Sequence, residues 1–90
     1  MVKFLVSKEY RLFLANLRRV REQAGLTQQD LAKLLGQTQS FISKVERGER
    51  RLDVVELRAI CKALKVSFPK FVNKIDRVMS ASERHGGDKP

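Results

Sequence analysis

The chain has 90 residues, 42% of them hydrophobic, and carries 19 Lys and Arg against 10 Asp and Glu, a net charge of +9. That describes one small domain, too apolar for a disordered basic tail and able to bury only about 60–65% of its unfolded surface. The single Cys excludes an intrachain disulfide, no Cys/His cluster offers a zinc site, and no apolar run approaches the ~20 residues that cross a bilayer.

The opening MVKFLVSKEY is interrupted by Lys3 and Lys8 and lacks a cleavage pattern, so no signal peptide is expected. Its Val2, Phe4, Leu5 and Val6 read as part of an N-terminal arm, residues 1–7, that covers the core or a partner subunit. A first helix follows, capped by Ser7 and ended by Gly25, with Phe13, Leu17, Val20 and Ala24 on one face. Thr27 with Asp30 approximates a capping box, flanked by Leu26 and Leu31, and predicts a second helix to Leu35 that stops at Gly36. A third spans 39–47, capped by Thr38 and stopped by Gly48. The fourth repeats the start signal with Asp53 and Glu56 and buries Leu57, Ile60, Cys61 and Leu64. The fifth starts at Ser67, tolerates Pro69 in its first turn, and lines one side with Phe68, Phe71, Val72, Ile75 and Met79. The apolar pattern then ends, so the domain is expected to occupy 1–79, with 80–90 a disordered tail.

Between the second and third helices stand only Gly36, Gln37 and Thr38. A turn this tight forces a steep crossing, roughly 90–120°, and Gly36 suits the left-handed conformation it needs. Small Ala32 lets the helices approach, with Leu31, Leu35, Ile42 and Val45 between them. The opposite side of the third helix carries Gln39, Ser40, Ser43, Lys44 and Arg47, polar and without an acid. In so basic a chain the neutral run Gln37–Ser40 is unusual. A surface that holds phosphates needs Lys and Arg, whereas one that reads bases needs short donors and acceptors in fixed places. Gln pairs bidentately with adenine N6/N7, Ser serves several bases, and Lys reaches guanine O6/N7. This is the pattern of a helix-turn-helix whose second helix lies in the major groove.

The stretch GLTQQDLAKLLGQTQSFISKVERGERRLDVVELRAICKAL, residues 25–64, resembles the lambda-repressor/Cro-like helix-turn-helix domains of the Xre type. The motifs that carry it are T-Q-x-x-L-A, the turn glycine, the polar cluster, I-S-K-x-E-x-G and the L-D start of the next helix. The resemblance implies an all-α, five-helix lambda-repressor-like DNA-binding domain. It implies base contacts from Gln39, Ser40 and Lys44. It implies backbone contacts from Thr38, Ser43, Arg50 and Arg51, and from Gln28, which also touches Gln39. It further implies a structural ion pair of Arg21 with Glu46. Two departures are Gln37, where relatives often carry an apolar residue, and Lys65, where Gly commonly ends the fourth helix.

Other residues read as structural. Cys61 is a quiet core thiol, His85 is alone, and Phe41 either meets a thymine methyl or packs beside the second helix. Arg18, Arg19 and Lys33 read as solvated. No catalytic residues, cofactor or metal are expected, because the chain offers no acid pair, activated nucleophile or phosphate loop. The expected function is a cytoplasmic, nucleoid-associated transcriptional repressor that binds double-stranded operator DNA as a homodimer, with no membrane partner. The alternatives are an antitoxin that holds a toxin protein and its own operator, and a basic interaction module that no longer reads DNA.

Overall fold

Each helix begins where a side chain accepts a backbone hydrogen bond. In the computed structural model, which describes residues 7–86, these caps are Ser7, Thr27, Thr38, Asp53 and Ser67. They open α1 (Lys8–Gln23), α2 (Gln28–Leu35), α3 (Gln39–Glu46), α4 (Val54–Ala63) and α5 (Phe68–Gly86). Among the described residues there is no strand. Thr27 and Asp30 form a complete capping box, with the Asp30 N–H to Thr27 Oγ1 at 3.0 Å and the Thr27 N–H to Asp30 Oδ2 at 2.9 Å. Asp53 and Glu56 repeat it at 2.7 and 2.9 Å. The caps thus fix where each helix starts by satisfying part of its orphan amides, and packing of the apolar faces supplies most of the stability of helices this short.

The core draws from every helix. α1 gives Phe13, Leu14 and Leu17, α2 Leu31 and Ala32, α3 Ile42 and Val45, α4 Ile60, Cys61 and Leu64, and α5 Phe71 and Ile75. Phe13 and Phe71 meet edge to face at 6.3 Å between ring centroids, joining α1 to α5.

The buried face of α1 differs from the expected one. Asn16 and Arg21 turn inward with Leu14, while Ala24 is exposed as the C-cap. Arg21 meets Glu46, and Asn16 Nδ2 donates to the Leu12 carbonyl at 2.9 Å, while Asn16 Oδ1 is buried with no hydrogen-bond partner among the described residues. On α5, Phe71 and Ile75 enter the core, Phe68 and Met79 are half-buried, and Val72 lies on the flank at 43% exposure.

The C-terminal boundary also differs. α5 continues beyond Met79 to Gly86, where a disordered tail from residue 80 was expected. The segment Ser80–Arg84 has no buried stripe to announce it, but it contains no Gly or Pro and includes the helix formers Ala81, Glu83 and Arg84, so the helix propagates until Gly86. The arm residues 1–6 and the tail residues 87–90 lie outside the described residues.

A left-handed residue ends α2. Gly36 has φ +67°, with its N–H on the Lys33 carbonyl at 3.2 Å and the Gln37 N–H on the Ala32 carbonyl at 2.8 Å. After α4 the same pattern recurs without glycine. Lys65 has φ +62°, with its N–H on the Lys62 carbonyl and the Val66 N–H on the Cys61 carbonyl, both at 3.0 Å.

Candidate nucleic-acid interface

Helix α3 packs on α1 and α2 through Ile42 and Val45, each 1% exposed, and this fixes its rotation. The outward side is then determined by the helical period. Gln39, Ser40, Lys44 and Arg47 are exposed or nearly so, Ser43 is half-buried, and Gln37 and Thr38 are exposed just before the helix. Gln37, one of the two expected departures, is exposed to solvent. Phe41 is half-buried, packed against the core, with the Arg50 guanidinium 4.9 Å from its ring centroid.

Beneath this surface, Arg21 on α1 forks onto Glu46 at the end of α3. Nε donates to Oε2 at 2.6 Å and Nη2 to Oε1 at 3.1 Å, with both side chains 7% exposed. A further arm, Nη1, donates to the Leu26 carbonyl at 2.7 Å. The bond to Glu46 raises the Arg21 pKa above its ordinary value, against the opposing effect of burial. Gln28 joins the pair, its Nε2 donating to Glu46 Oε1 at 2.9 Å, while its Oε1 accepts from Gln39 Nε2 at 3.1 Å. One hydrogen-bonded chain therefore runs from the interior of α1 to the front of α3.

Thr38 accepts the Phe41 N–H at 3.1 Å through its hydroxyl oxygen, so the hydroxyl proton remains available to an acceptor. Ser43 accepts from Arg47 Nη1. Arg47 also forks onto Glu49 at 2.9 and 3.1 Å, and this holds the Glu49 carboxyl below the usual range. The outward stripe is acid-free in sequence, but Glu49 folds back beside it from the loop.

The remaining cations expected at the DNA backbone are tied to the scaffold. Arg50 forks onto Glu56 at 2.7 and 2.8 Å, bridging the loop to the capping box of α4. Arg51 lies over the Tyr10 ring at 4.6 Å, and the Tyr10 hydroxyl accepts the Leu52 N–H at 3.3 Å. Sequence reasoning missed both arrangements. Arg50 and Glu56 are six apart across a loop, and Tyr10 belongs to another helix, so neither periodicity nor a motif could pair them. Arg18 bonds Glu22 on the exposed side of α1, a pair worth little. Cys61 is 0% exposed and burial pushes its thiol up, as suits a core residue. Among the described residues no His, Cys, Asp and Glu group could hold a metal, and no helix is long and apolar enough to cross a membrane.

A family model described as helix-turn-helix matches residues 17–71. An uncharacterized HTH-type transcriptional regulator of Sinorhizobium fredii is 36% identical over 62 residues, 69% of this chain and 80% of that protein. The solved XRE-family like protein from Pseudomonas syringae pv. tomato is 38% identical, with a TM-score of 0.74 over 78% of this chain and 85% of that one. The restriction-modification controller protein C.Esp1396I, solved as a tetramer in complex with its natural 35 base-pair operator, is 29% identical. Its TM-score is 0.71, over 80% of this chain and 95% of that one.

Proposed function

Because the chain belongs to the Xre-type helix-turn-helix family of DNA-binding transcriptional regulators, we propose that it is a cytoplasmic repressor that reads operator DNA as a homodimer, with α3 in the major groove. The observation that carries the reading is the outward face of α3, short and uncharged at its front and locked in rotation by Ile42 and Val45. In this reading Gln39, Ser40 and Lys44 contact bases. Gln28, Thr38, Ser43, Arg50 and Arg51 contact the backbone. Arg50 does so through the N–H groups it does not spend on Glu56 or on the Arg51 carbonyl, and Arg51 from its place over Tyr10.

A single recognition helix spans too few base pairs to select a site in a genome, which supports a two-fold dimer on a near-palindrome. C.Esp1396I, a tetramer on its natural operator, supports binding of DNA by more than one chain. Of the apolar residues of α5, the face carrying exposed Val72 with half-buried Phe68 and Met79 is the proposed dimer contact; Val78 sits on the side of the core residues Phe71 and Ile75, and Ile75 is not available to it.

The test is selection of bound sequences from random DNA, with sedimentation of the complex. The expected result is two inverted half-sites with centres about 34–36 Å apart and two chains per site. A single unrepeated half-site with one chain would contradict it. Recovery of a co-purifying protein in place of a preferred sequence would favour the antitoxin reading.

A further inference from the structure

We infer that Glu46 sets base specificity from beneath the surface, by fixing which way the Gln39 amide faces. The inference rests on the reading of Gln39 as a base contact.

The argument is one of donors and acceptors. Arg21 has only donors, and an ionised carboxylate only accepts. Glu46 therefore takes Arg21 on one side and can admit Gln28 in a single orientation, with its amide nitrogen inward, as the 2.9 Å bond has it. That turns the Gln28 carbonyl oxygen outward. Gln39 must then offer nitrogen, not oxygen, to meet it at 3.1 Å. A charged group that cannot donate anchors the network, and both amide orientations follow from it.

The consequence appears at the surface. A Gln39 amide that gives one N–H to Gln28 keeps one N–H and its oxygen. That fork matches adenine, which presents a donor at N6 and an acceptor at N7. In the reverse orientation Gln39 would accept from Gln28 and present two N–H donors, which match the N7 and O6 acceptors of guanine. Glu46 therefore selects adenine over guanine without approaching the DNA. It is a positioning residue that acts through Gln28, which itself keeps a second N–H for a phosphate.

The test measures affinity for the selected operator and its four-base panel at the pair facing Gln39, using the full chain. Wild type should favour adenine over guanine by about 5- to 150-fold, the range of one bidentate pair. Gln28→Met cannot donate to Glu46 or accept from Gln39, yet leaves the Arg21–Glu46 pair in place. Glu46→Gln admits both orientations of Gln28. Each should lower the adenine-to-guanine ratio several-fold at this position while leaving ratios at other positions unchanged, whatever happens to overall affinity. If Glu46→Gln does not fold, Gln28→Met carries the test alone. Retention of the wild-type ratio by folded variants, when Gln39→Ala loses it, would overturn the inference. Retention of the ratio by Gln39→Ala itself would instead remove the base contact on which the inference stands.

Discussion

Arg21 and Glu46 are each so little exposed that removing one leaves the other charge in a poorly solvated site. Arg21→Ala or Glu46→Ala should therefore cost about 3–5 kcal/mol, the range for breaking a buried pair, against the ~0.2–1 kcal/mol of an exposed one. Urea unfolding of the two single variants and the double variant closes the cycle, and a double variant as unstable as the sum of the singles would show that the pair is not coupled. At this scale the sequence was only partly legible. The stripe of Gln39, Ser40 and Lys44 followed from helical period once Ile42 and Val45 were assigned inward. The ion pair came from resemblance, because residues 21 and 46 share no local pattern. The partners of Arg50 and Arg51 were not legible at all. An exposed guanidinium can bond any nearby carboxylate or stack on any nearby ring, and only the fold brings Glu56, Phe41 and Tyr10 within reach.

The elements were more legible than the residues, because capping chemistry is local. Thr27 with Asp30 and Asp53 with Glu56 announce α2 and α4 in sequence, and both boxes close in the structure. They also make stability depend on pH. The Thr27 backbone N–H, aided by its hydroxyl, holds the Asp30 carboxyl below its ordinary 3.8; Arg50, then the Asp53 N–H, holds Glu56 below its ordinary 4.5. A carboxyl with a lowered pKa in the folded state contributes stability that is complete above the ordinary value and is lost as pH falls through the folded value. The melting midpoint should thus fall as pH drops below about 4, the ordinary carboxyl range, and fall less steeply in the Asp30→Asn, Glu56→Gln double variant. Equal acid slopes in the two proteins would assign the loss to other carboxyls. Lys65 is the element-scale departure that sequence did expose. A side chain at φ +62° costs roughly 1–2 kcal/mol, while glycine adds about 0.4–1 kcal/mol of unfolded-state entropy, so Lys65→Gly should stabilise by about 0.5–1 kcal/mol in denaturant titration. The reach of α5 to Gly86 was not legible, since a helix that continues by propensity after its buried face has ended carries no periodic signal.

For the whole molecule, the proposed division of labour is between a neutral front on α3 that would read bases and cations on the loop behind it that would hold phosphates, within a chain of net charge +9. In that proposal the charge supplies attraction to any duplex, and the stripe supplies preference among duplexes. These contributions respond differently to salt and to sequence, so one experiment separates them: titration of wild type, Gln39→Ala and Arg51→Ala against single-base operator variants across a salt series. Gln39→Ala should lose about 1–3 kcal/mol on the best site and relax preference at one base pair per half-site. Arg51→Ala should weaken every sequence alike and flatten the slope of log K against log[salt] by about 0.9 for each phosphate that the variant leaves unneutralised. If Gln39→Ala instead lowered affinity uniformly while Arg51→Ala changed the preferred base, the account of how this fold reads DNA would be contradicted.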